Sequence, residues 1–222
     1  MGEDEELIDE VDGKKKAVRI ERILDVAFEL FSTRGIEPVT MTDIADKAKI
    51  GVASLYRYFE TKEILAVRTA TQAWSKRMDT VLPYLIKPKY QNSTGFAQLE
   101  QIFLLFVRLY ENQADFLRFI YLFDSFAVKE KIPKANMVNY EVMILKVKQI
   151  ISEAISKGLV DGSISQKYSK AGDLLYFTLM HTFFSTAQKL SLSGKMLDMD
   201  SQMNGTAQLK LLSQMLLDSL KS

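Results

Sequence analysis

Apolar residues recur at three- and four-residue steps along almost the whole chain, and no run of alternating β-branched residues competes with them. That periodicity predicts helices and leaves little room for a sheet. Between Val18 and Thr33 the apolar positions are Ile20, Ile23, Leu24, Ala27, Phe28, Leu30 and Phe31, and Gly35 supplies a stop. A short second helix follows Thr40, a third covers Val52 to Phe59, and a fourth runs from Thr61–Lys62 to about Leu82, ended by Pro83 and Pro88. Five more are expected at about 94–112, 114–130, 133–157, 168–192 and 206–220, with "GLVDGSIS" (158–165) as a turn between long antiparallel helices.

Composition narrows the chemistry. Four prolines and ten glycines in 222 residues allow long elements, and 47% hydrophobic residues supply a sizeable core. Cysteine is absent and histidine occurs once, at His181, so a disulfide framework, a thiolate nucleophile and a transition-metal site all lack residues. No metal and no cofactor is expected. There is no G-x-S-x-G elbow, P-loop, paired histidine or glycine-rich dinucleotide turn, so the chain does not read as an enzyme. No stretch reaches the length of a membrane span and the start is acidic, which points to the cytoplasm.

The net charge of +1 conceals an uneven distribution. Residues 1–13 hold seven acids and no base and read as a solvated, flexible tail. Residues 14–62 hold ten bases against seven acids, and Lys14, Lys15, Lys16 and Arg19 form a basic arm able to reach a phosphate backbone.

The densest signal is "MTDIADKAKIGVASLYRYF" (41–59). Thr40 with Asp43 three residues on is a capping-box variant, and Ile44, Ala45 and Ala48 share one face of the helix it starts. "KIG" (49–51) breaks that helix and leads into the third. At 100° per residue Leu55, Tyr58 and Phe59 fall on one face, read as core, and Ala53, Tyr56 and Arg57 fall opposite, flanked by Val52 and Ser54. Two short helices and a tight turn, packed by an amphipathic first helix, form a helix-turn-helix whose second helix enters a DNA major groove. Ala53 permits close approach, Arg57 donates to guanine or phosphate, Val52 or Ala53 touches a thymine methyl, and Tyr56 suits a phosphate oxygen. Thr42 and Lys62 would flank the groove and position the module through the backbone. Lys49, a cation in the turn, joins the candidate DNA-binding set.

These residues, above all "T-x-x-D-I-A" and "L-Y-x-Y-F-x-x-K-E-x-L", resemble the helix-turn-helix of the TetR family of transcriptional regulators over about residues 18–65. The resemblance implies an all-α, nine-helix subunit with an N-terminal DNA-binding domain (14–62) and a C-terminal effector-binding bundle (63–222). It also implies a homodimer formed through the last two long helices, about 168–192 and 206–220. It places Thr42, Tyr56 and Lys62 on phosphates and Val52, Ala53, Ser54 and Arg57 at the groove. The chain departs from the family where Lys49 replaces a usual glycine and Gly51 a usual serine or threonine. Lys49 must therefore take a turn geometry at some cost, and Gly51 caps with backbone only.

In the C-terminal part Phe103, Phe106, Tyr110, Phe119, Phe123, Tyr140, Met143, Tyr176, Phe177 and Met180 sit at helical spacings, as core or as walls of an apolar effector cavity. Asp124 is either an exposed helix residue or the counter-charge for a cationic effector. The combined expectation is a repressor released from a palindromic operator by a small apolar or cationic molecule. An activator on the same fold, a helical protein-interaction module and a helical enzyme using the cavity are the competing readings.

Overall fold

Caps and breakers, more than helix propensity, decide where these helices start and stop. A computed structural model describes residues 2–193 and 198–222. In chain order the elements are α1 (Gly2–Arg34), α2 (Met41–Ala48), α3 (Val52–Phe59), α4 (Lys62–Leu85), α5 (Pro88–Gln91) and α6 (Gly95–Asn112). They continue with α7 (Ala114–Lys129), α8 (Lys134–Val160), α9 (Asp173–Ser193), α10 (Asp198–Ser201) and α11 (Gly205–Leu220). Among the described residues there is no strand, only an isolated bridge between Ile164 and Lys221. Among the described residues no helix is long and apolar enough to cross a membrane.

Two expectations about element ends change. The segment read as an acidic tail, 1–13, enters α1 at Gly2, while the side chains of its acids lie outside the described residues. Acids ahead of bases, with no proline between them, is the order a helix dipole favours. α4 also runs through Pro83 to Leu85 rather than ending at it. Proline so near a C-terminus removes one intrahelical bond, and the last turn still closes through Ile86 N–H to Leu82 O at 3.2 Å.

The chain divides into two compact units, Met1–Ala73 with Leu122–Tyr140, and Trp74–Tyr121 with Glu141–Ser222. The first unit thus extends beyond the boundary expected at residue 62, because α4 is continuous there and residues 122–140 supply part of the core. In this unit α1 buries Ile23, Ala27 and Phe31, α2 buries Ile44 and Ala45, and α3 buries Leu55 and Phe59. Phe123 and Phe126 add to the same core, with Tyr140 packed 5.0 Å from Phe123 between ring centroids. Each buried Ile, Leu and Phe side chain here contributes about 1.5–3 kcal/mol of burial free energy. Gly35, at φ 85°, closes α1 as the sequence suggested.

In the second unit α6, α9 and α11 pack on one another. Phe103 meets Phe183 edge-on at 4.9 Å, and Trp74 meets Phe116 in the same way at 4.9 Å. The "GLVDGSIS" turn caps α6: Gly95 N–H donates to Asp161 Oδ2 at 2.8 Å and Phe96 N–H to Ser163 Oγ at 3.1 Å. Hydrogen bonds from Ser163 and the Gly95 amide hold the Asp161 carboxyl below its ordinary value.

Gly95 meets α8 backbone to backbone, since a Cβ there would fall 1.9 Å from Gly158 N and 2.5 Å from Ala154 O. Neither atom can rotate away. Gly95→Ala should therefore lower stability by about 2–3 kcal/mol. Gly13→Ala, in open space on α1, should cost nothing or stabilise. Urea unfolding followed by circular dichroism and by the fluorescence of Trp74 checks both.

Candidate nucleic-acid interface and effector cavity

α2 begins with a complete capping box. Asp43 N–H donates to Thr40 Oγ1 at 3.1 Å, and Thr40 N–H donates back to Asp43 Oδ2 at 2.8 Å. These hydrogen bonds from Thr40, aided by Arg34, hold the Asp43 carboxyl below its usual range. The helix ends in a Schellman motif, with Ile50 N–H bonded to Ala45 O at 3.0 Å and Lys49 N–H to Asp46 O at 3.1 Å. Lys49 occupies the left-handed position of that motif, at φ 53° and ψ 49°, where glycine fits without a Cβ penalty. Gly51 then opens α3 at φ −68° with no side-chain cap.

α3 separates its faces as its sequence suggests in all but one residue. Leu55 and Phe59 are fully buried, Ala53 and Arg57 are exposed, Val52 and Ser54 are half-buried, and Tyr56 is 48% exposed. Thr42 is exposed at the start of α2. Tyr58 is the exception: it is half-buried, and its Oη accepts from Arg19 Nη1 at 3.4 Å. That bond, with the nearby Arg57 charge, holds the Tyr58 phenol below its ordinary value. The result is a basic trench between α1 and α3, lined on one side by Lys14, Lys15, Lys16, Arg19 and Arg22 and on the other by Lys49, Ser54, Arg57 and Tyr58. Arg22 also ties α1 to α2 by donating to Ala48 O. Sequence reasoning passed over Arg22, although it lies three residues after Arg19 and so on the same helical face.

Lys62 takes a different part from the expected phosphate contact. Its Nζ donates to Ile36 O at 3.0 Å, Glu37 O at 2.9 Å and Val39 O at 3.2 Å, and it sits 5.8 Å from the Phe126 ring centroid. An ammonium has three N–H groups, and here three carbonyls of the α1–α2 loop receive them.

The second unit contains an apolar cavity of about 100 Å³. α4 lines it with Trp74, Arg77, Met78, Thr80, Val81 and Leu85. α6 adds Ile102, Leu105, Phe106 and Leu109, followed by Gln113, and α8 adds Val147, Ile150 and Ile151. Of the residues expected as cavity walls, only Phe106 is among these. Phe103, Phe119, Tyr176 and Met180 are buried, Met143 is half-buried and Phe177 is exposed. Tyr110 packs on the first turn of α11, where a Cβ on Gly205 would lie 2.1 Å from its hydroxyl. Phe123, Asp124 and Tyr140 belong to the first unit, and Asp124 is exposed. Helical spacing marks a residue as inward-facing; it does not say whether a void lies inside. Among the described residues no cluster could hold a metal ion.

A capped α2, a left-handed turn and a two-faced α3 beside a cationic trench define a helix-turn-helix protein with an appended helical bundle. Residues 23–69 match the family model "Bacterial regulatory proteins, tetR family", so this N-terminal segment is similar to that family's. Over 52 residues it is 44% identical to the HTH-type transcriptional repressor KstR2 of Rhodococcus jostii, a match covering 23% of this chain and 26% of that protein. The matches to curated relatives span between 26% and 34% of those proteins' own lengths. Solved structures share the whole fold. FadR of Thermus thermophilus, in complex with lauroyl-CoA, gives a TM-score of 0.58 at 20% identity, covering 91% of this chain and 95% of that one. A regulator from Saccharomonospora viridis, in complex with choline, gives 0.65 at 18% identity, covering 91% and 95%.

Because a lysine in the left-handed region costs about 1–2 kcal/mol, Lys49→Gly should raise the unfolding free energy by about 1 kcal/mol. A denaturation midpoint shifted to lower urea would contradict the reading of this turn.

Proposed function

We propose that the chain is a DNA-binding transcriptional repressor, acting as a homodimer on a palindromic operator and released when a small molecule occupies the cavity of the second unit. The observation that carries this reading is the outward face of α3. Ala53 and Tyr56 are exposed on it beside a trench of seven cations, one of which is Arg57 of the same face. Phosphate neutralisation by the trench supplies affinity and makes it salt-dependent. Base edges met by Val52, Ala53, Ser54 and Arg57 supply selection. Similarity to transcriptional repressors in the N-terminal segment, and to ligand-bound regulators in fold, supports the same reading.

The regulatory step follows from α4. Its first turn carries Lys62 and the α1–α2 loop, and its second half lines the cavity. A ligand that fits one setting of α4 better than another shifts the balance between them, and only that difference in affinity does so. In a dimer the two recognition helices must meet half-sites about 34–36 Å apart, or a multiple of that, so a small tilt is enough for release.

The proposed dimer surface lies on α9 and α11, which pack side by side and leave Leu174, Phe177, Leu211 and Met215 exposed. Leu211 and Met215 are four residues apart and therefore on one face.

Fluorescence anisotropy with a duplex from the chain's own upstream region, against a random duplex of equal length, tests the DNA reading. A large specific preference is expected, with at least tenfold loss for Tyr56→Phe combined with Arg57→Ala. Equal affinity for both duplexes would refute it. For the dimer, light scattering of Leu211→Glu with Met215→Glu should give a monomer with unchanged helicity; a persisting dimer would move the interface elsewhere.

A further inference from the structure

The cavity is small and its walls are mostly hydrocarbon. Apart from Arg77, Thr80 and Gln113, every lining residue is apolar or aromatic, and none carries a carboxylate. The Thr80 hydroxyl donates to Lys76 O at 3.0 Å, and the Arg77 guanidinium is engaged over the Phe116 ring, 4.7 Å from its centroid. Trp74 is 6% exposed and its Nε1 is fully buried, so what it turns to the cavity is ring carbon.

One part of the wall is aromatic. Trp74 of α4 and Phe106 of α6 both line the cavity, and both meet Phe184 of α9, the first stacked at 5.7 Å and the second edge-on at 6.1 Å. Two rings of the lining are thus held as neighbours by a third. Aromatic rings gain from edge-to-face or offset contact beyond the area they bury, so a guest ring placed here extends an existing cluster.

Size then selects among apolar guests. A volume of about 100 Å³, filled at the roughly 0.75 packing density of a protein interior, takes roughly 75 Å³ of molecule. That is close to one benzene ring and well short of a long alkyl chain. An apolar cavity of about 150 Å³ engineered into another protein stays dry and takes up benzene, which shows that hydrocarbon walls alone suffice to hold such a guest.

We propose that the ligand is a compact, uncharged, single-ring aromatic molecule, packed on Trp74 and Phe106 and enclosed by Val147, Ile150 and Ile151 of α8. A cation meets no carboxylate in this lining. An anion loses its hydration and must also draw Arg77 away from Phe116. The inference rests on the effector-binding reading above and specifies the ligand class that reading leaves open.

Trp74 is the chain's one tryptophan, so its fluorescence, excited beyond the absorption of benzene, reports occupancy. The full chain is titrated with benzene, cyclohexane, benzoate and benzylammonium. Saturable binding of benzene is expected with a Kd near or below about 1 mM, within the reach of six heavy atoms. Cyclohexane should bind about threefold or more weakly, and each charged compound at least tenfold more weakly. Val81→Phe, which fills the cavity from α4, should abolish the benzene response with helicity unchanged. No saturable response up to the solubility limit of benzene, benzoate or benzylammonium binding as tightly as benzene, cyclohexane equal to benzene, or a folded Val81→Phe protein that still responds would each overturn the proposal. If Val81→Phe fails to fold by circular dichroism, the order of the four compounds in the unaltered chain decides. Operator release is read separately by anisotropy. Benzene that binds without releasing DNA sinks the regulatory reading and leaves the site; a chain that binds its operator but ignores benzene sinks the site and leaves the regulator.

Discussion

The Lys62 ammonium, held by the carbonyls of Ile36, Glu37 and Val39, is the contact on which the helix-turn-helix unit depends. A cation in the first turn of a helix opposes the helix dipole, so Lys62 stands where a lysine is disfavoured on its own account. What reverses the sign is the loop. Hydrogen bonds from a charged donor contribute about 1.5–3 kcal/mol each, and carbonyls left without a donor in a part-buried loop would cost a comparable amount. The same three bonds fix the path from Gly35 to Thr40, and with it the point at which the Thr40–Asp43 capping box starts α2. The register of the helix-turn-helix thus begins with a residue of α4.

From that start the geometry of α3 is set by local rules. The Schellman closure places Lys49 in the left-handed region, and Glu60 beyond the end of α3 also has a positive φ of 59°. Two non-glycine residues in sparsely populated conformations therefore bracket α3. Such conformations persist only where the surroundings over-determine them. Here the surroundings are the buried Leu55 and Phe59 below, the Arg22 bond to Ala48 O beside, and the Glu60 N–H bond to Tyr56 O at 2.7 Å.

Those local features were legible in the sequence, and the reason is range. A capping box, a left-handed turn and a two-faced helix each involve residues within four or five positions of one another. The features that were not legible all depend on distant partners. Lys62 and its carbonyls are separated by more than twenty residues, as are Arg22 and Ala48, and the close approach of Gly95 to Gly158 spans two helices. The continuation of α4 past Pro83 was missed for another reason, since a proline near a helix end costs one bond rather than the helix. The cavity is the extreme case. Phe103 and Phe106 have the same chemistry three residues apart and both meet Phe183, but only the tertiary arrangement decides that Phe103 is fully buried while Phe106, half-buried, also lines the cavity.

The lining of the cavity is likewise invisible in composition, since Arg77 is one of 29 basic residues and nothing around it in sequence marks it as part of that lining. Its position on α4 places it there. Trp74, Arg77, Met78, Val81 and Leu85 repeat at three- and four-residue steps, so they form one stripe, and that stripe lines the cavity. The residues that continue the stripe toward the N-terminus, Ala66, Ala70 and Ala73, are small and fully packed. A helix whose one face changes from packed alanines to a void along its length can be loaded at one end while its other end stays anchored by Lys62. On the proposed regulatory reading, a ligand there would favour one setting of α4, and the shift would be limited by its difference in affinity for the two settings rather than by how tightly it binds.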